Sequence, residues 1–461
     1  MNQPPWRQFG RNLSMTRLAI LIFAASSVIY AVSPQGKSTM PDLTHGAELT
    51  RVALSVVQEG SFAHPFFSLP TGPTAHVAPA YVLVYALVAK LFGIGWAGAK
   101  VLWALNIGFL ALQLALLPIL SRRLGLGALP GVIAAALGAV VQPYAILPEW
   151  ESQFTGALLV AVCVLTVSYF QKPRDWRHSI LLGILWGAVI LTNPVCVLLL
   201  LAWPHVAAIE NSPEMMSRAR QAMLVMVAGA ALACLPWFIR NYQQFHAVFF
   251  IRDNLGLELS TSNNSCAGPT VLGNILSGCH KRTHPNANAA LAAEIIDKGE
   301  VQFNRDQMRQ AMGWIRSNPR AFAWLTARRF VRFWFPYLGN FRYSIPMGML
   351  TILSFPGLMW MYRDHRRAAL LFASTLFLYP LIHYLVQFEA RYRYPIFWAT
   401  LLPASYAVVK IIGWFGRASL PDTPAAMKES DPLPAEKYIW KIKMWCGRRD
   451  SNPYGLSATS S

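Results

Sequence analysis

The residue whose setting most invites chemistry is Glu48. It stands in a polar stretch, Asp42 to Pro79, that follows the first strongly apolar run. It opens a segment in which Leu49, Val52, Ala53, Val56 and Val57 recur at i, i+3, i+4, i+7 and i+8. That spacing predicts an amphipathic helix lying along a membrane surface rather than crossing it, and Gly60 marks its end. A carboxylate held near the bilayer at the start of such a helix is where an enzyme acting on a lipid-anchored substrate would keep its base. The plainer alternative is an exposed pair between Glu48 and Arg51 on one helix face. A second reactive group lies downstream, where Cys266, Cys279, His280 and His284 share one segment. Their spacing fits no common zinc pattern well, so the expectation is a disulfide between Cys266 and Cys279 in an oxidising compartment, with a metal pair involving the two histidines as its rival. Cys163, Cys196 and Cys234 sit in apolar runs and read as buried thiols.

The elements that must position these groups are membrane helices. The 461 residues are 54% hydrophobic and only 13% charged, about half the charge of a soluble chain. Several apolar runs reach or approach the roughly 20 residues that span a bilayer. The reading is an all-α polytopic membrane protein. The net charge of +19 gathers at the ends of those runs, as at Arg122 and Arg123 or Lys172, Arg174 and Arg177. It reads as positive-inside anchoring and contact with membrane lipids, not as a nucleic-acid surface. The first run, Arg17 to Ser33, has no clear cleavage site after it and reads as an uncleaved anchor.

Ten further runs lie near 78–94, 97–120, 126–147, 152–170, 178–192, 194–208, 220–239, 344–362, 367–387 and 395–414. With the N-terminus and all the basic clusters on the cytoplasmic side, one early run must fail to cross, and 78–94 is the expected re-entrant segment. This topology sends four segments to the outer face: the Glu48 loop, the turn Pro148 to Glu151, residues 240–343, and the FEARYRYP turn at 388–395. Acidic and arginine-rich segments thus share one side, which suits chemistry at the outer leaflet. The organisation expected is an N-terminal transmembrane module over 1–239 with its first outer loop at 34–77. An outer-face region with juxtamembrane helices follows over 240–343, then C-terminal transmembrane helices over 344–414, and a disordered cytoplasmic tail over 415–461. Asn318-Pro319 should start a helix bearing Arg328, Arg329 and Arg332 at the interface.

Several segments resemble the GT-C superfamily of integral-membrane glycosyltransferases, which includes protein O-mannosyltransferases and the aminoarabinose transferase of lipid A. They are GAELTRVALSVVQEGSFAHPF, TGPTAHVAPAYVLVYALVAKLFG, LPEWESQFTGALL, GILWGAVILTNP, PWFIRNYQQFHAVFFIRDNLGLELSTSNN, SNPRAFAWLTARRFVRFW and ARYRYPI. They follow one another in the family's order over most of residues 15–400. The resemblance implies a GT-C type bundle of about 10–11 transmembrane helices with amphipathic juxtamembrane helices on the outer face. It implies a polyprenyl-phosphate-linked sugar donor, hexosyl or pentosyl transfer, and an envelope acceptor left undefined. The overall style of the sequence reads as bacterial, hence a cytoplasmic (inner) membrane, with the active face outward by the charge topology above.

The family's catalytic acid aligns with Glu48, and Asp42, six residues earlier, is its alternative counterpart. The leaving phosphate implied by this chemistry would need arginines, whose planar fork binds phosphate in two places; Arg240, Arg252, Arg391 and Arg393 are the candidates, with His76 as a further donor. Arg391 and Arg393, two apart, would point the same way in an extended turn. Tyr392 would stack on sugar or anchor at the interface, and Glu151 would orient substrate or sit as an interfacial acid beside Trp150. The chemistry requires no cofactor and marks no metal ligand, though a divalent metal is compatible with it. The rival function is a transporter or flippase for a lipid-linked or small anionic solute. That needs charges deep in the spans and broken helices; Asn193-Pro194 is such a break, but hardly a charge lies mid-span. A noncatalytic assembly subunit is the third reading.

Overall fold

The computed structural model describes residues 14–33, 41–44, 46–141, 147–171, 175–209, 213–337, 339 and 341–418. The basic start with Arg7 and Arg11 and nearly all of the expected tail lie outside the described residues. In chain order the helices are α1 (Met15–Val32), α2 (Glu48–Gln58), α3 (Pro79–Phe92), α4 (Trp96–Arg123), α5 (Leu129–Val141) and α6 (Ser152–Gln171). Then come α7 (Trp176–Ile190), α8 (Val197–Ala208), α9 (Pro213–Phe245), α10 (Leu255–Ser262), α11 (Val271–Leu276) and α12 (Cys279–Thr283). The last six are α13 (Ala289–Lys298), α14 (Glu300–Ser317), α15 (Pro319–Trp334), α16 (Phe341–Asp364), α17 (Arg366–Leu378) and α18 (Phe397–Ala418). The described residues contain two isolated bridges and no strand.

Six of these segments are long and apolar enough to cross a membrane: α1, α4, α6, most of α9, most of α16, and the run Ala390–Phe415 that contains most of α18. Four shorter apolar helices, α3, α5, α7 and a segment ending in α8, lie among them. The chain is an all-α, multi-pass membrane protein. At about 1.5 Å per residue, the 14 residues of α3 reach about 21 Å, short of the roughly 30 Å hydrocarbon layer.

Bundle packing follows from residue size. On α7, Gly183 lies so close to α9 that a Cβ there would sit 2.2 Å from the Met226 carbonyl oxygen, the close backbone approach that small residues permit between membrane helices. Trp186, Trp203 and Trp398 fill the interior edge to face, with ring centroids 5.1 Å and 6.2 Å apart along the row. At the far end of the C-terminal helices, Asp364 accepts from Tyr406 Oη at 2.7 Å and pairs with Lys410 at 2.5 Å.

Two runs depart from the sequence expectation. The run 367–387 is helical only to Leu378; Pro380 has no N–H to continue the ladder, and the chain turns through a short 3-10 helix at Ile382–Tyr384. The run 220–239 extends as α9 to Phe245, so Arg240 is a helical residue rather than a loop residue.

Helices α10 to α15 form the polar part of the fold. Phe66, from the loop between α2 and α3, is buried with Leu257, Ile295 and Phe303 of these helices. The same loop donates from Phe67 N to Asn286 Oδ1 at 2.9 Å and from Ser68 Oγ to the Pro285 carbonyl at 2.5 Å. Asn318 precedes Pro319 at the start of α15, but its amide caps nothing there. It donates back to the Trp314 carbonyl at 3.0 Å and closes α14 instead.

Candidate active site

A cavity of about 280 Å³ gathers most of the residues singled out by the sequence. Glu48 reaches it from the start of α2, His76 from the turn before α3, and Glu151 with Trp150 from the turn before α6. The break at Asn193-Pro194 forms another wall. Arg252 enters just ahead of α10, and Arg391 and Tyr392 come from the short turns before α18.

Glu48 is the first residue of α2, and Leu49, Val52 and Ala53 on its inner side are buried. The helix thereby pins the carboxyl at the cavity wall. Burial is the main influence on that carboxyl and pushes it up from 4.5 to about 7; Glu258 pushes in the same direction, and Arg391 pulls against both. Arg51, the alternative partner of Glu48, lies instead over the Phe67 ring at 5.1 Å.

Arg252 donates from Nε to the His76 carbonyl at 2.8 Å, so one cation braces the next cavity residue. The His76 N–H donates to Thr74 Oγ1 at 2.9 Å, and its ring meets Phe66 edge to face at 5.1 Å. Burial first, then the Arg252 charge, holds the His76 imidazole well below its ordinary range and keeps it neutral. Arg391 lies flat over the Trp150 ring, 3.3 Å from its centroid, and its Nε donates to Glu389 Oε2 at 2.5 Å. Stack and ion pair fix the guanidinium before any ligand arrives. Tyr392 stacks on His383, with centroids 4.6 Å apart and planes 18° from parallel.

Three expected site residues do not line this cavity. Asp42 Oδ1 accepts from Thr44 N at 2.8 Å and Thr44 Oγ1 at 2.5 Å, a local Asx turn. Arg240 donates to the carbonyls of Thr74 at 2.8 Å and Phe62 at 3.0 Å, clamping the α2–α3 loop onto α9. Arg393 is 1% exposed and donates to the Trp334 carbonyl at 2.6 Å and Thr351 Oγ1 at 2.5 Å. The expectation that Arg391 and Arg393 point the same way assumed extended backbone. Arg391 sits instead in a 3-10 turn that Arg393 caps, and in such a turn residues two apart point about 120° away from each other.

Sequence reasoning missed Glu258 and His383. Glu258 lines the cavity from α10, accepts from Asn254 Nδ2 at 3.2 Å, and is pushed up by burial. A signal was present: between residues 254 and 280 it is the single charged side chain. His383 was hidden in the run read as a span. Elsewhere, Arg329 of α15 is buried rather than interfacial and donates to Asn263 Oδ1 and the Leu385 carbonyl, at 3.0 and 2.9 Å. Cys266 and Cys279 are joined in a disulfide, so neither offers a thiolate to a metal beside His280 and His284. Among the described residues, no group of three or more His, Cys, Asp or Glu is arranged to hold a metal ion.

No family model matches the chain, and no curated protein matches it either. Solved structures do. An oligosaccharyltransferase from Archaeoglobus fulgidus, tethered to an acceptor peptide containing the NVT sequon, aligns at TM-score 0.53 and 16% identity, covering 89% of this chain and 51% of that one. AglB from the same organism, with an inhibitory peptide and a dolichol-phosphate, aligns at 0.52 and 14% identity, covering 89% and 52%. The chain has the GT-C fold. It spans about half the length of these two GT-C enzymes. ArnT from Cupriavidus metallidurans, bound to undecaprenyl phosphate, is a looser match at TM-score 0.40 and 14% identity, covering 88% of this chain and 80% of that one.

Proposed function

We propose that the chain is a membrane glycosyltransferase that moves a hexose or pentose from a polyprenyl-phosphate donor to an acceptor hydroxyl or amine. Its reaction takes place at the outer face of a bacterial cytoplasmic membrane. The observation that carries this reading is a single cavity lined by the half-buried Glu48 carboxylate together with two braced arginines, Arg252 and Arg391. The fold supports it, since a solved example was captured with a dolichol-phosphate.

In this reading Glu48 takes the proton from the acceptor. Its raised pKa, about 7, makes it a stronger base than an ordinary carboxylate. The acceptor atom bonds to the anomeric carbon as the bond from that carbon to the phosphate oxygen breaks. The electron pair leaves on the polyprenyl phosphate. A single displacement inverts the anomeric configuration. Arg252 and Arg391 meet the charge that grows on the leaving phosphate, and because both are held before the substrate binds, little reorganisation is needed. Neutral His76 adds a hydrogen bond to the phosphate. Tyr392 and Trp150 offer aromatic faces to the sugar, and Glu151 orients the acceptor. Arg240 and Arg393 support the walls and touch no substrate.

The test uses the full chain in lipid nanodiscs with a panel of polyprenyl-phosphate sugars and an envelope extract as acceptor source. Release of free polyprenyl phosphate from one donor, coupled to sugar appearing on an extract component, supports the proposal. Movement of an intact donor between leaflets without cleavage would replace it with the flippase reading.

A further inference from the structure

The segment that carries Arg391 has little support of its own. Between α17 and α18 the chain makes only short 3-10 turns, at Ile382–Tyr384, Ala390–Tyr392 and Tyr394–Ile396. Its two ends are tied elsewhere, Leu385 by Arg329 and Asn263 at 2.9 and 3.0 Å and the Arg391 carbonyl by Ser152 Oγ at 3.1 Å, but Gln387 and Phe388 between them are held by a distant loop. Phe388 N donates to the Pro269 carbonyl at 2.8 Å, and Val271 N donates to the Phe388 carbonyl at 3.1 Å, forming a bridge between Thr270 and Phe388. Gln387 is anchored twice: its N–H donates to Ser262 Oγ at 2.8 Å, and its Oε1 accepts from Asn274 Nδ2 at 2.7 Å. Asn274 is itself fully buried, and its Oδ1 accepts from Gly268 N at 2.5 Å. The next residue along the chain is Glu389, the carboxylate that holds Arg391.

The bracing loop has little regular structure of its own. Its helix α11 has six residues, well below the roughly 12 at which isolated helices become even marginal. The cross-link between Cys266 and Cys279, with a sequence separation of 13, closes this loop around Pro269, Val271 and Asn274. Cross-linking removes conformations that the open loop would otherwise sample.

We infer that the Cys266–Cys279 disulfide is a positioning device for the cavity: it holds the 266–279 loop in the shape that registers Gln387 and Phe388, and through them Glu389 and Arg391. The disulfide touches no substrate. The inference rests on the reading of Arg391 as a phosphate ligand only for its effect on binding. The positioning itself is independent of that reading.

The experiment compares wild type, the double variant Cys266→Ser/Cys279→Ser, Asn274→Ala and Arg391→Ala, each as full-length protein in nanodiscs. Hydrogen–deuterium exchange is read over residues 385–393, with α2 and α14 as internal controls, and undecaprenyl phosphate is titrated as the probe. Asn274→Ala leaves the disulfide intact, and wild type reduced and then reoxidised serves where the cysteine variant folds poorly. Expected is faster exchange over 385–393 without change in α2 or α14, and binding weakened about tenfold, or about 1.4 kcal/mol, in the disulfide and Asn274 variants. Reoxidation should restore both. Unchanged exchange over 385–393 overturns the inference. So does binding that falls in Arg391→Ala but not on loss of the disulfide, which leaves the phosphate reading standing. Faster exchange with binding unaltered in every variant, Arg391→Ala included, upholds the brace and removes Arg391 from the phosphate site.

Discussion

Replacing Glu300 by Gln should remove part of the protein's pH dependence of stability. Glu300 begins α14, yet its carboxylate serves the α2–α3 loop, accepting from Thr74 Oγ1 at 2.5 Å and Ala75 N at 2.6 Å. It is 7% exposed. Burial, with a smaller push from the neighbouring Asp253 charge, raises its carboxyl from 4.5 to about 7, against the pull of those two hydrogen bonds and Arg240. Between these two values the folded chain keeps a proton that the unfolded chain has released. The stability from this group is therefore complete below the unfolded value and lost as pH rises through about 7. A difference of about 2.5 pH units corresponds to about 3 kcal/mol. Gln has no proton to lose, so Glu300→Gln should gain on wild type by about that amount across this window, and the contribution from Glu48 cancels in the comparison. Thermal unfolding followed by tryptophan fluorescence in detergent, from about pH 4.5 to about pH 8, reads the difference. A gap between the two proteins that does not move with pH would refute the reasoning. A gap moving the other way would mean that the clamp prefers the ionised carboxylate.

The other expectations are briefer. Arg393→Ala removes a buried guanidinium together with its hydrogen bonds to the Trp334 carbonyl and Thr351 Oγ1, leaving those two groups only each other and the Met347 carbonyl, and should cost about 2–4 kcal/mol of stability. Arg252→Ala should stay within about 1 kcal/mol in the same melts while weakening polyprenyl-phosphate binding. At Gly256 a Cβ would lie 1.9 Å from the Asn304 carbonyl oxygen, so Gly256→Ala should force α10 off α14, cost about 1–3 kcal/mol in thermal unfolding and displace Glu258. The kcat/KM for sugar transfer should rise about tenfold per pH unit and level near 7, the value to which Glu48 is pushed. A flat profile would exclude Glu48 as the base.

The bundle was legible in the sequence because membrane helices need long apolar runs, and each of the eleven runs carries a helix. Helix α2 was legible for the same kind of reason: its stripe residues Leu49, Val52 and Ala53 are buried. The site was legible in part. Glu48, His76, Glu151, Arg252, Arg391 and Tyr392 share one cavity, drawn from segments whose common side the charge pattern had suggested. Arg240 and Arg393 lie outside the cavity, a placement the sequence could not give because a guanidinium satisfying buried carbonyls looks the same in sequence as one awaiting a phosphate. What separates them is the set of acceptors around each, such as the Thr74 and Trp334 carbonyls, and these are tertiary facts. Glu258 and His383 escaped for a related reason. The eight-residue α10 is too short for its periodicity to stand out, and the break that turns His383 into the cavity depends on a single proline in an apolar run.

The central claim is that the Glu48 cavity transfers sugar from a polyprenyl phosphate. The most direct measurement is single-turnover release of polyprenyl phosphate by wild type, Glu48→Gln, Glu258→Gln and Asp42→Asn in the same nanodiscs, with donor binding measured alongside. The account predicts that Glu48→Gln binds donor and loses turnover by about a hundredfold or more, with Asp42→Asn close to wild type. Turnover that survives in Glu48→Gln, or collapses in Asp42→Asn instead, would contradict it.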